Sequence, residues 1–140
     1  MAELSTRRVV VIADPAAPLG LLANAVGVVA LGLGAVEPAL AGQQLQDCLG
    51  RQFRASASLP LPVLQAGPEA MHALFERARS DAAIDAVVAF PHFARQIHDF
   101  ASYQISLRER DLASEALAAI GLLGEGAAVK GLTRGLALLR

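Results

Sequence analysis

Four apolar stretches dominate the chain, and their lengths and stops suggest what each becomes. Residues 8–13 read Arg-Val-Val-Val-Ile-Ala and are closed by Asp14-Pro15. A β-branched run without alternation is typical of a strand covered on both faces, so this one is expected at the centre of a sheet. Residues 19–33 follow as a helix whose apolar residues go all the way round, with Gly32 and Gly34 as stop signals. Such a helix is expected to be nearly encased by the rest of the protein. Residues 35–40 read as a short strand. Residues 41–58 have mixed polarity, contain Gly42 and Gly50, and read as a loop or irregular excursion.

The second half repeats the alternation of strand and helix. Residues 59–65, Leu-Pro-Leu-Pro-Val-Leu-Gln, combine strand formers with two prolines that cannot donate to a ladder, which confines them to a sheet edge or a strand end. Pro68 and Glu69 open a helix in which Met71, Leu74, Phe75 and Ala78 form one stripe. Residues 84–90 read as a second continuous apolar strand ended by Pro91, followed by an amphipathic stretch over residues 92–110. Residues 112–123 are ambiguous: the first part could prolong a helix, while residues 119–123 end like a buried strand. A short helix at residues 127–133 leads into an apolar tail at 135–139. Strands separated by helices predict an α/β fold with a parallel or mixed sheet and helices packed on its faces. Residues 1–140 are expected to form a single domain.

Composition supports a packed core and narrows the partners. The chain is 54% hydrophobic and 18% charged, and its 12 basic residues nearly balance 13 acidic ones. The long-range field that would draw a phosphate backbone or an anionic membrane is therefore weak, and neither nucleic acid nor membrane is an expected partner. A lone cysteine, Cys48, cannot form an internal disulfide and suits a cytoplasmic setting. Arg7-Arg8, the uncharged run that follows and Ala39-Leu40-Ala41 imitate a twin-arginine signal peptide. Cleavage after Ala41 would discard a strand and a helix from the best-patterned region, so a core helix is the better reading. Pro15, Pro18 and several glycines also crowd the run, and basic anchors are missing from its C-terminal side.

Candidate chemistry is sparse. Gly124-Glu125-Gly126 follows a strand and opens a helix, but the third glycine of a dinucleotide loop is replaced by Val129, and Lys130-Gly131 lacks the flanking residues of a phosphate loop. His92 and His98 lie six apart, about 240° around a helix, so they do not share a metal-ligand face. His72 sits beside an apolar stripe as a boundary residue. Cys48 reads as a buried, inert thiol. Phe90, Phe93, Phe100 and Tyr103 suit core packing better than a base-stacking platform, since only Arg95 is at hand to supply charge. No cofactor and no metal site is expected.

Three segments carry a resemblance: residues 9–14 with Pro18-Leu19-Gly20-Leu21-Leu22-Ala23-Asn24-Ala25, then residues 59–64, then the ending Lys130-Gly131-Leu132-Thr133-Arg134-Gly135-Leu136-Ala137-Leu138-Leu139-Arg140. Taken together the chain resembles a bacterial family of unknown function, domain-of-unknown-function family two thousand, whose fold is like that of the type-two peptidyl-tRNA hydrolases. The resemblance implies an α/β fold with a mixed, mostly parallel, roughly four-stranded sheet and helices on both faces. The hydrolase chemistry does not carry over: the lysine position of those enzymes falls on Gly20 or Leu21, neither of which can stabilise an oxyanion. Asn24 could stand in for their glutamine, and residues 90–95 keep neither the acid nor the threonine of their loop.

Two functions follow. The first is a non-catalytic binding module, a homodimer with a small-molecule or protein ligand. The second is a hydrolase or other small-molecule enzyme whose cleft residues are Asp14, Asn24, His92 and Thr133. Convergence of two or more of these groups in one pocket would favour the enzyme.

Overall fold

The computed structural model describes residues 4–140. Along these residues run β1 (Arg7–Ala13), α1 (Leu19–Val36), β2 (Gln44–Gln46), β3 (Gln52–Arg54), β4 (Val63–Gln65), α2 (Pro68–Arg79), β5 (Ile84–Pro91), α3 (Phe100–Arg108), β6 (Leu117–Glu125) and α4 (Gly126–Leu132). Four strands form one sheet in the order β4-β1-β6-β5, while β2 and β3 form a separate hairpin. β1 pairs with β4 in parallel and with β6 antiparallel, and β6 pairs antiparallel with β5. The sheet is thus mixed with a single parallel pair, and the expectation of mostly parallel strands is corrected. The reason lies in residues 92–116. They leave and return at one end of the sheet, where Pro91 faces Leu117, so β6 runs back beside β5 instead of crossing over.

β1 is central, as its unbroken apolar run predicts, and it builds two cores by simple alternation. Val9, Val11 and Ala13 face α1, whereas Val10 and Ile12 face α2 and α4. β6 does the same with Ala119 and Leu123 on one side and Ile120 and Leu122 on the other. Its residues from Leu117 to Gly124 are all buried. Gly121 is the point of closest approach of α1: a Cβ there would lie 2.5 Å from Val29 Cγ1 and 2.8 Å from Leu33 Cδ1. α2 begins with Pro68 at its first turn and buries Met71, Leu74, Phe75 and Ala78, the stripe expected from sequence. β4 is an edge strand, also as expected. The tail covers it, with Gln65 N–H donating to Ala137 O and Leu139 N–H to Val63 O, both at 2.9 Å.

Residues 35–40 contain no strand. α1 continues to Val36, and Pro38–Leu40 form a 3₁₀ turn. Gly32 and Gly34 do not stop the helix, because neither adopts a positive φ. The stop comes from Pro38, whose ring forces Glu37 out of the helical region to φ −129° and ψ 89°. Residues 41–58 are more ordered than their composition suggests. Asp47 accepts from the N–H groups of Leu49 and Arg51, both at 2.9 Å, and Gly50 at φ 81° closes the turn between β2 and β3. Cys48 therefore lies in an exposed turn and is not the buried thiol expected.

Candidate binding surface

At about 100° per residue, Leu22, Ala25, Val29 and Leu33 fall on one stripe of α1. These four are its buried residues, and they pack on the sheet. The expectation of a nearly encased helix is corrected here, since most of its circumference faces outward. That outward part is equally apolar. Residues 15–36 carry no charge, and Asn24 is the only polar side chain among them. Leu19 is 82% exposed and Leu31 75%. Gly20, Gly27 and Gly34 face open space, where an added Cβ meets nothing within 4 Å. A surface helix ordinarily turns charged and polar residues to water, and α1 departs from that rule over its full length. Its 18 residues would by length and composition suffice to cross a bilayer, yet its buried stripe is part of the core.

Two apolar troughs flank the helix. One, of about 860 Å³, lies between Gly27, Ala30 and Leu31 of α1 and a wall that includes Leu40, Ala57 and Leu59. The other, of about 420 Å³, lies between Val28, the β5 residues Val88 and Phe90, and the aromatic side chains of Phe100 and Tyr103. The aromatic residues do gather around α3: Phe90 packs against the core, as expected, whereas Phe100 is exposed at this surface. Tyr103 stacks on Phe93 with centroids 5.8 Å apart, and the Arg110 guanidinium lies 4.1 Å from the Phe93 ring centre. Burial pushes the Tyr103 phenol above its ordinary range. Asp99 caps α3 by accepting from Ser102 N–H at 2.7 Å, and hydrogen bonding from the Ser102 hydroxyl, then from its N–H, holds the Asp99 carboxyl below the usual carboxylate range. Beyond the larger trough the β2–β3 hairpin stands away from the body with all its strand residues exposed. Leu45 and Phe53 face each other across it.

The four residues singled out from sequence are placed differently from one another. Asp14, at the end of β1, is buried, and its Oδ1 accepts from Ala16 N–H at 2.9 Å, so it holds the turn into α1. His92 begins the 3₁₀ turn after β5 and donates its backbone N–H to Ala116 O at 2.9 Å. Both sit at one end of the sheet. β6 runs between their strands, so their backbones are about 10 Å apart, two strand spacings. Asn24 is exposed and lies about 140° around α1 from Val29. Thr133 follows α4 on the opposite face of the sheet and donates its hydroxyl to Val129 O at 2.8 Å. The structure thus brings Asp14 and His92 to one end and sets Thr133 apart.

The remaining motifs have packing explanations. A Cβ at Gly124 would lie 2.5 Å from Ala83 O, and one at Gly126 would lie 3.2 Å from Thr6 O, so these glycines let β6 and α4 pass close to neighbouring backbone. His72 Nε2 hydrogen-bonds to Glu115 O and ties α2 to the approach to β6, a boundary role as expected. The feature that sequence reasoning missed is the outward face of α1. Its signal was available: a helix apolar all round demands a cover on every side, and the chain supplies one side only.

Comparison with known proteins adds the family. No curated protein matches the chain. Among solved structures, the protein of unknown function Atu0240 from Agrobacterium tumefaciens str. C58 is similar, with a TM-score of 0.86 at 14% identity, over 95% of this chain and 97% of that one. At that identity the likeness concerns the fold alone. The sequence profile described as Protein of unknown function (DUF2000) matches residues 7–140, and the chain belongs to that family.

Proposed function

We propose that the chain is a non-catalytic binding module on a scaffold like that of the type-two peptidyl-tRNA hydrolases, and that it works through the outward face of α1 and the troughs beside it. The observation that carries this reading is the uncharged face itself. Acyl-transfer chemistry needs a group that moves a proton and donors that hold an oxyanion; α1 itself offers Asn24 alone, and the titratable groups nearby, His98, Asp99 and Tyr103, stand on the far wall of the smaller trough, where Asp99 caps α3. Gly20 and Leu21 occupy the first turn of α1, where the hydrolases carry lysine. An apolar concave surface with few polar groups is what a binding site requires.

The second reading, a hydrolase or other small-molecule enzyme, draws on the placement of Asp14 and His92 at one end of the sheet. A peptidyl-tRNA hydrolysis assay tests the hydrolase form of that reading, with the purified protein beside a type-two hydrolase at equal concentration. The binding module gives no turnover above buffer. Turnover comparable to the control would overturn it and make Asp14, Asn24 and His92 the first residues to replace.

A further inference from the structure

We infer that the occupant of this surface is a second copy of the same chain, with the two copies meeting through their α1 helices about a two-fold axis. The inference rests on the reading of α1 as the working surface. Leu19 and Leu31 are twelve residues apart, about 18 Å along the helix axis, and both are exposed. A small molecule filling the 860 Å³ trough would cover Leu31 but leave Leu19 in water. A partner as long as the helix covers both.

The length suits a partner of the same size. α1 is about 27 Å long and about 10–12 Å across with its side chains, so its outward face alone covers roughly 300 Å² per copy. The hairpin, with Leu45 44% and Phe53 52% exposed, extends that face. The trough and the hairpin together have to supply the rest of the roughly 800 Å² per partner of a standard interface.

Charge and symmetry point the same way. A two-fold contact sets one patch against itself, so any charge near its centre would oppose its own copy. Residues 15–36, at its centre, carry none, and the charged Asp47, Arg51 and Arg54 lie out on the hairpin. The trough leaves room for a side chain from the other copy, since Leu31 stands on its wall beside the small residues Gly27, Ala30 and Gly34. Small residues on the outward side let two helix axes approach closely. A lipid surface is the poorer fit, because helices that lie on membranes flank their apolar face with Lys and Arg, and residues 15–36 contain neither.

Sedimentation velocity over a dilution series from about 100 µM tests this with the full chain, Leu31→Glu and Gly27→Leu. Both substituted positions are open to solvent in the single copy, so circular dichroism and melting should show both variants folded. The expected result is a wild-type dimer, weakened about 100-fold by Leu31→Glu and about 10-fold by Gly27→Leu. Should Leu31→Glu fail to fold, Gly27→Leu carries the same test. A wild-type dimer that neither folded variant weakens would overturn the inference. A monomer throughout would overturn it too, and a naphthalene-sulfonate dye then separates the two claims. Dye binding that depends on Leu31 leaves the binding-module reading standing without the dimer, and no dye binding removes both. Cosedimentation with phosphatidylcholine–phosphatidylglycerol vesicles that depends on Leu31 would replace the second copy with a membrane.

Discussion

Gly121 shows how one residue sets the distance between the helix and the sheet. It lies on the most buried strand, directly beneath Val29 and Leu33. Gly121→Ala therefore has to push α1 outward, and an overpacked core costs about 1–3 kcal/mol. Urea denaturation of the purified variant is expected to show a loss in that range, whereas Gly27→Ala, which meets nothing, should show none. The sequence places one glycine in a strand and the other in a helix, but it does not show what lies above each Cα. Asp14, by contrast, was legible: an aspartate before proline at the end of a strand holds a turn through its own carboxylate, as the bond to Ala16 N–H does. Cys48 was misread because its neighbours in sequence do not show that the segment around it leaves the body of the protein.

At the scale of elements, α2 was read correctly from its stripe and its proline, and β1 from its β-branched run. α3 depends more on its cap, since none of its residues is buried. Asp99 has its carboxyl pKa lowered by the hydrogen bonds from the Ser102 hydroxyl and N–H, so in the folded chain it stays ionised to lower pH than in the unfolded one. Its contribution is fully present above the ordinary value of 3.8 and is lost as pH falls through the lower folded value. Amide exchange in the first turn of α3 is expected to quicken over that acid range. Asn caps a helix without titrating, so Asp99→Asn should remove the part of the pH dependence due to the cap. Exchange equally pH-dependent in both proteins would contradict this. α1 was placed correctly but its surroundings were not, because periodicity reports which residues are apolar and is silent on what covers them. A fully apolar helix reads the same whether its second cover is its own chain or another.

For the whole molecule, an α/β fold with helices on both faces of the sheet was legible from the order of elements, and the four-stranded, mixed sheet from the resemblance. The direction of β6 was not, since it depends on residues 92–116 turning back at the end of β5, and their amphipathic pattern is that of an ordinary crossover helix. The candidate site divides in the same way. Sequence gave residue types without depth, and the face of α1 emerged only when four of its side chains were seen to be buried and the others exposed. The central claim is that this face is covered in the working protein. The most direct test is the solvent paramagnetic relaxation of leucine methyl groups in the unmodified protein at high concentration, with a soluble gadolinium chelate. Leu33, 2% exposed, and Leu49, 76% exposed, provide the internal limits. The account predicts that Leu31 relaxes like Leu33 and moves toward Leu49 on dilution; a Leu31 that matches Leu49 at every concentration would contradict it.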